Sequence, residues 1–211
     1  MKKYLLLFLP LLLAVLCIYP IVSAVTRGIS VVSKHGQSLY LYQDYQALVV
    51  GVSDYEQWPK LPNAAKDAIE VADRLNELGV HVKLALDPTY RELRTALTEM
   101  VYVMGREKNR GIIFYYADHG ETETLADRTK MGYIIPKDCP LLRVNPMGFA
   151  NHAISMKEIE SASMRIRSKH VLMLFDSCFF CFFFALVRVE PHDITEQSIV
   201  SVSHFITPGR H

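Results

Sequence analysis

The chain has 211 residues, half of them hydrophobic and 21% charged, an ordinary globular composition with enough length for one sizeable core. With 23 Lys and Arg against 22 Asp and Glu, the net charge of +1 leaves neither a basic face nor an acidic tail, so no nucleic-acid partner is expected. No repeat of solenoid length and no low-complexity linker divides the chain.

Lys2 and Lys3 precede an uncharged stretch from Tyr4 through Thr26 that meets small residues at Ser23 and Ala24. Residues 1–24 read as an export segment, either a cleaved signal peptide or a retained N-terminal membrane anchor. Val22-Ser23-Ala24 suits cleavage, while the run is also long enough for a bilayer of about 30 Å. Pro10 and Pro20 interrupt helix hydrogen bonding and favour the signal, and Leu16 before Cys17 makes a poor lipoprotein site. The expected location is exported, periplasmic or secreted, with membrane contact only through such an anchor. Of four cysteines, Cys17 lies in this leader, Cys139 in an expected loop, and Cys178 and Cys181 close together, which is no disulfide framework. A thiol exposed to an oxidising compartment needs burial or a chemical reason.

Residues 25–45 form an expected hairpin extension, with Ile29–Val32 and Leu39–Tyr42 joined across Lys34–Gln37. Gln46–Val52 is a compact apolar run of the kind buried on both faces of a sheet. Asn63 is the expected cap of a helix with apolar positions at Ala65, Ala68, Ile69, Ala72, Leu75 and Leu78, ended by Gly79. His81–Asp87 alternates like a strand, and Thr89-x-x-Glu92 is a capping box for a helix with Leu93, Leu97, Met100, Val101 and Met104 on its apolar face. Gly111–Ala117 reads as a second buried strand and Gly132–Asp138 as a shorter one. Ser155-x-x-Glu158 opens a further helix through Ile159, Ala162 and Ile166, and His170–Phe175 returns as a strand. This alternation predicts an α/β fold: a mostly parallel sheet with helices on both faces and right-handed connections.

In such sheets the site forms outside the carboxyl ends of the strands. Two reactive residues fall there, His119 after Gly111–Ala117 and Cys178 after His170–Phe175, both expected in loops. A thiol attacks a carbonyl as thiolate, and an imidazole increases that fraction and then protonates the leaving amine. The backbone N–H groups of Cys178 and Gly120 are candidate oxyanion donors, with Gly120 expected in a turn that uses its conformational freedom. His81, His119, His152 and His170 share no ligand spacing with the cysteines, so neither a metal nor another cofactor is expected.

The segments FYYADHGE around His119 and LFDSCF around Cys178 resemble the two catalytic segments of the caspase and metacaspase clan, and of bacterial caspase-domain proteins in particular. ALVVGVSDY, LPNAAKDA and GYIIPKD extend the resemblance over Gln46 to Cys178. It implies a caspase-like catalytic domain over residues 46–211, a Cys178–His119 dyad without a required third acid, and endopeptidase activity on a peptide or protein substrate. In metacaspases, acids at the base of the primary pocket select Arg or Lys before the scissile bond. Asp67 and Asp176 match those positions, and Leu61–Ala65 carries no Arg of the kind by which caspases bind Asp. Apart from binding substrate, Asp67 also suits the first turn of its helix through the dipole.

Three departures from the family bear on turnover. Asp118 stands where the family has Gly, and its carboxylate is expected beside the imidazole, either strengthening the ion pair or crowding the pocket. Phe179, Phe180, Phe182, Phe183 and Phe184 follow the nucleophile in place of small residues. The chain also ends at His211, where the family continues, so the domain is expected to be incomplete at its C-terminus. These features set a peptide-binding pseudopeptidase against the peptidase, and Cys178-Phe179-Phe180-Cys181 adds a C-x-x-C redox site as a third reading. Calcium binding finds no acidic cluster to support it, and the oligomeric state is not set by the sequence.

Overall fold

A computed structural model describes residues 30–32, 38–40, 44–177 and 185–189, with side chains placed from 44 to 177. The leader, Cys178, Cys181 and the phenylalanine run lie outside the described residues. Strands β1 (Ser30–Val32) and β2 (Ser38–Tyr40) pair antiparallel as a two-stranded sheet of their own.

The main sheet grows from β3 (Asp44–Gly51), in which Ala47, Leu48, Val49 and Val50 are all fully buried, so both faces of the strand are covered. β3 pairs in parallel with β4 (His81–Leu86) on one side and with β5 (Arg110–Asp118) on the other. β5 pairs in parallel with β9 (His170–Ser177), and β10 (Ala185–Val189) adds antiparallel to β9, giving the order β10-β9-β5-β3-β4. Helix α1 (Ala64–Glu77) covers one face, where Ala68 and Ala72 meet Ala47 and Val49. Helices α2 (Tyr90–Tyr102), α3 (Pro146–His152) and α4 (Met156–Arg165) supply Leu93, Leu97, Met100, Phe149 and Ile159 to a larger core on the other face. The expected three-layer α/β architecture is the one found. Among the described residues no helix is long and apolar enough to cross a membrane.

Helix α1 departs from expectation in two ways that matter for the site. Asn63 occupies the N-cap but its side chain makes no capping hydrogen bond; the Ala65 N–H instead donates to Ser53 Oγ at 2.8 Å. The start of α1 is thereby fastened to the segment after β3. Its buried stripe is Ala64, Ala68 and Ala72, while Ile69 and Leu78 face solvent. Small residues are required because helix and strand touch: a Cβ on Gly51 would stand 2.6 Å from Ala68 Cβ and 2.8 Å from the Ala64 carbonyl oxygen. The other end closes as the sequence predicts. Gly79 adopts φ 84°, and the bonds Gly79 N–H to Asn76 O and Val80 N–H to Leu75 O form a Schellman motif.

Both expected capping boxes form, Thr89 with Glu92 on α2 and Ser155 with Glu158 on α4. The strand expected over Gly132–Asp138 begins two residues earlier and stops sooner, as β7 (Lys130–Ile134). It belongs to a separate three-stranded antiparallel sheet with β6 (Gly120–Thr124) and β8 (Ile154–Ser155). Helix α3 and strand β6 were not expected. The first is marked by Asn145, whose side chain accepts from Gly148 N–H, followed by Pro146.

Candidate active site

His119 is the single residue between β5 and β6, so the expected loop is a joint between two strands. Parallel register sets Asp118 opposite Ser177, so the strands that lead to His119 and to Cys178 end side by side. Cys178 itself, one residue beyond Ser177, lies outside the described residues.

The segment after β3 wraps the imidazole. The Tyr55 and Trp58 rings stand 4.9 and 5.5 Å from the His119 ring, centroid to centroid. His119 Nε2 lies 2.8 Å from the Pro59 carbonyl oxygen. A carbonyl only accepts, so Nε2 carries the proton and Nδ1 is the basic nitrogen. That choice of tautomer is what a general base for a thiol needs: the acceptor nitrogen is the one not occupied by the main chain.

Hydrogen bonds from three directions hold this segment in place. Val52 N–H donates to Ala117 O at 3.1 Å, tying it to β5. Asp87, at the end of β4 with φ 47°, accepts from the N–H groups of Ser53 and Asp54, both at 2.7 Å. A left-handed backbone is one that Asp tolerates better than most side chains. From beyond β7, Lys137 O accepts from Glu56 N–H at 3.1 Å and Cys139 O from Trp58 Nε1–H at 3.0 Å. The segment closes on itself through Leu61 N–H to Ser53 O at 3.0 Å.

On the α1 face, Tyr115 packs against the cluster of Ala47, Val49, Ala68 and Ala72. Its hydroxyl donates to Asp176 Oδ2 at 3.2 Å. Burial is the first cause that raises the Tyr115 hydroxyl above its ordinary value, followed by the Asp176 carboxylate and, more weakly, the charge of Asp67. Asp176 is exposed at the end of β9, and Asp67 is half-buried in the first turn of α1. The two acids singled out from the sequence therefore act on one phenol, which the sequence alone did not single out.

A family model for the caspase domain matches residues 45–199. The chain belongs to the caspase-domain family. A human protein, mucosa-associated lymphoid tissue lymphoma translocation protein 1, is 29% identical over 102 residues, which is 47% of this chain and 11% of that protein, so the chain spans about a tenth of that relative's length. A crystal structure of the Geobacter sulfurreducens protein GSU0716 superposes with a TM-score of 0.51 at 17% identity, covering 64% of this chain and 50% of that one, a likeness of fold.

Two expectations for this caspase domain are corrected. Asp118 does not face the imidazole. Its carboxyl is buried, takes contacts from the Tyr116 hydroxyl and the His119 main-chain N–H, and is driven well above the usual carboxylate range by that burial. Gly120 is not a left-handed turn residue: it lies in β6 opposite Ile134, and Gly79 is the only glycine with positive φ among the described residues. Tyr55, Trp58, the Pro59 carbonyl and Asp87 went unnoticed in the sequence. Tyr55, Trp58 and Pro59 stand some 60 positions before His119 in the chain, and Asp87 acts only through the segment that carries them. Cys139, the one thiol described, is buried and pushed up to about 12 by desolvation first, then by Asp138 and Asp118. It is a packed thiol rather than a nucleophile. Among the described residues no group of three His, Cys, Asp or Glu could hold a metal ion.

Proposed function

We propose that this caspase domain is a cysteine-type endopeptidase that cleaves after Arg or Lys, with Cys178 as nucleophile and His119 as its base. The observation that carries the reading is the His119 imidazole itself, held by the Pro59 carbonyl through Nε2–H so that Nδ1 is left to receive a proton. The Cys178 thiol gives its proton to Nδ1, and the thiolate attacks the scissile carbonyl. Main-chain N–H groups at Gly120 and Cys178 receive the oxyanion. The imidazolium then protonates the departing amine, and the acyl-enzyme is hydrolysed by a water that His119 deprotonates.

The preference for a basic residue is supported by the two carboxylates about Tyr115, with no cation among the described residues in ion-pair contact with either. A guanidinium or ammonium entering beside Asp176 finds an acceptor already oriented by the phenol. Export through residues 1–24 places the activity outside the cytoplasm in this reading. The test is hydrolysis of Arg- and Lys-containing peptides against Asp-containing ones by wild type, Cys178→Ala and His119→Ala. Cleavage after basic residues, lost in both variants, is expected. Covalent capture of a basic thiol-reactive peptide without turnover would favour the peptide-binding pseudopeptidase, and equal inactivity of all three proteins without capture would end the peptidase reading.

A further inference from the structure

Behind His119 lies a second cluster that the proposed chemistry does not use. Tyr116 and Asp118 point into the larger core from β5, and Asp118 is 4% exposed. Tyr116 Oη contacts Asp118 Oδ2, accepts from the Ile135 N–H at 2.8 Å and stands 3.1 Å from the Ile135 carbonyl oxygen. Tyr55 Oη also stands 3.1 Å from that carbonyl and accepts from the His119 N–H at 3.1 Å. The same His119 N–H contacts Asp118 Oδ1.

Counting protons distinguishes two states of this cluster. A tyrosine hydroxyl has one proton to donate, and a carbonyl oxygen can accept twice. If Asp118 is ionised, Tyr116 must donate to it, and a buried carboxylate is left with one phenol and one shared N–H. No cation forms an ion pair with it among the described residues. If Asp118 is neutral, its O–H donates to Tyr116 Oη, Tyr116 donates to Ile135 O alongside Tyr55, and Asp118 Oδ1 still receives the His119 N–H. Every donor and acceptor is then used and no charge is buried, which is the arrangement a low-dielectric interior favours. The groups around it agree: Phe175 on β9 is apolar, Tyr55 and Tyr116 are phenols, and the buried Cys139 thiol, itself raised by burial and then by the Asp138 carboxylate, stays protonated.

We infer that Asp118 is a positioning residue: a neutral carboxylic acid that, with Tyr116 and Tyr55, clamps the main chain at His119 from behind and so fixes the imidazole on Pro59 O. It rests on the peptidase reading only for what the imidazole is positioned to do.

Two measurements on the full chain test this without turnover. Infrared difference spectra between wild type and Asp118→Asn at neutral pH should contain the carbonyl stretch of a protonated carboxylic acid, shifted in heavy water. A carboxylate pair of bands in its place would overturn the neutral clamp. With 15N-labelled histidine, His119 should hold the Nε2–H tautomer in wild type and in Asp118→Asn, whose amide can replace both contacts. In Asp118→Ala and Asp118→Ser it should move toward a mixture. An unchanged His119 signal in either truncated variant, with native circular dichroism confirming the fold, would sink the positioning role. Should the domain hydrolyse peptides, kcat is expected to fall roughly tenfold in Asp118→Ala with KM little changed, the pattern of a lost orientation, and to recover in Asp118→Asn. Inactivity of every variant together with the expected infrared and NMR results would count against the peptidase reading and leave the clamp standing.

Discussion

Over Ile112–Tyr116 the two faces of β5 are buried to different depths. Ile112, Phe114 and Tyr116 face the larger core and are at most 1% exposed, whereas Ile113 and Tyr115, on the α1 face, are only partly buried. The pleat makes this possible, because successive side chains leave a strand in opposite directions. One face can therefore be packed for stability while its neighbour, a residue away, stays open for recognition. β9 follows the same division, with Val171, Met173 and Phe175 in the core and Leu174 and Asp176 exposed on the other side. Asp118 is the exception, a carboxyl on the packed face, and it survives there through its phenol and main-chain partners.

Substitutions on the two faces should accordingly move different observables. The largest effect is expected for Phe114→Ala, which removes a fully buried ring in edge contact with Phe175 at 5.6 Å. Denaturant unfolding should show a loss of about 3–5 kcal/mol. Retention of wild-type stability would mean that the core lies elsewhere. Next comes pH. The Asp118 carboxyl is raised in the native state by burial. From the unfolded carboxylate value of about 3.9 upward, the native chain holds a proton that the unfolded chain has released. Stability referred to Asp118→Asn should therefore decline as pH rises through that window, by at most about 1.4 kcal/mol per pH unit, until the native carboxyl ionises too. Unfolding of both proteins at stepped pH measures this, and a parallel pair of curves would show an already ionised group. The smallest effect belongs to the open face. Tyr115→Phe removes the hydrogen bond to Asp176 at a cost of about 1 kcal/mol or less in stability. On basic peptides it should increase KM by roughly fivefold and leave kcat near wild type. Equal loss on acidic and basic peptides would detach Tyr115 from recognition.

How much of this was legible in the sequence follows from the range of each interaction. The main strands and two capping boxes are local patterns of apolar period or of residues three apart, and they appear where expected. β6 went unseen because Gly120-Glu121-Thr122-Glu123-Thr124 contains no apolar residue, and its pairing with β7 is read only in space. Asn63 looked like a cap, yet the oxygen that serves α1 comes from Ser53, earlier in the chain and in another segment. His119 was marked by an imidazole after a buried strand, and Asp67 and Asp176 by the family resemblance of the segments that carry them. The Pro59 carbonyl bears no such mark, as every residue has one.

That last point has a consequence for genetics. The partner of the His119 ring is a peptide oxygen, present whatever amino acid occupies position 59. A library that varies one side chain at a time would score position 59 by whether the chain's path tolerates each replacement, and so would rank it as a site of shape. Besides Asp118, the positions that report on the imidazole would include those that set this path, Ser53 and Asp87, neither of which touches it. A site oriented by main chain in this way can keep its geometry while the letters around it drift.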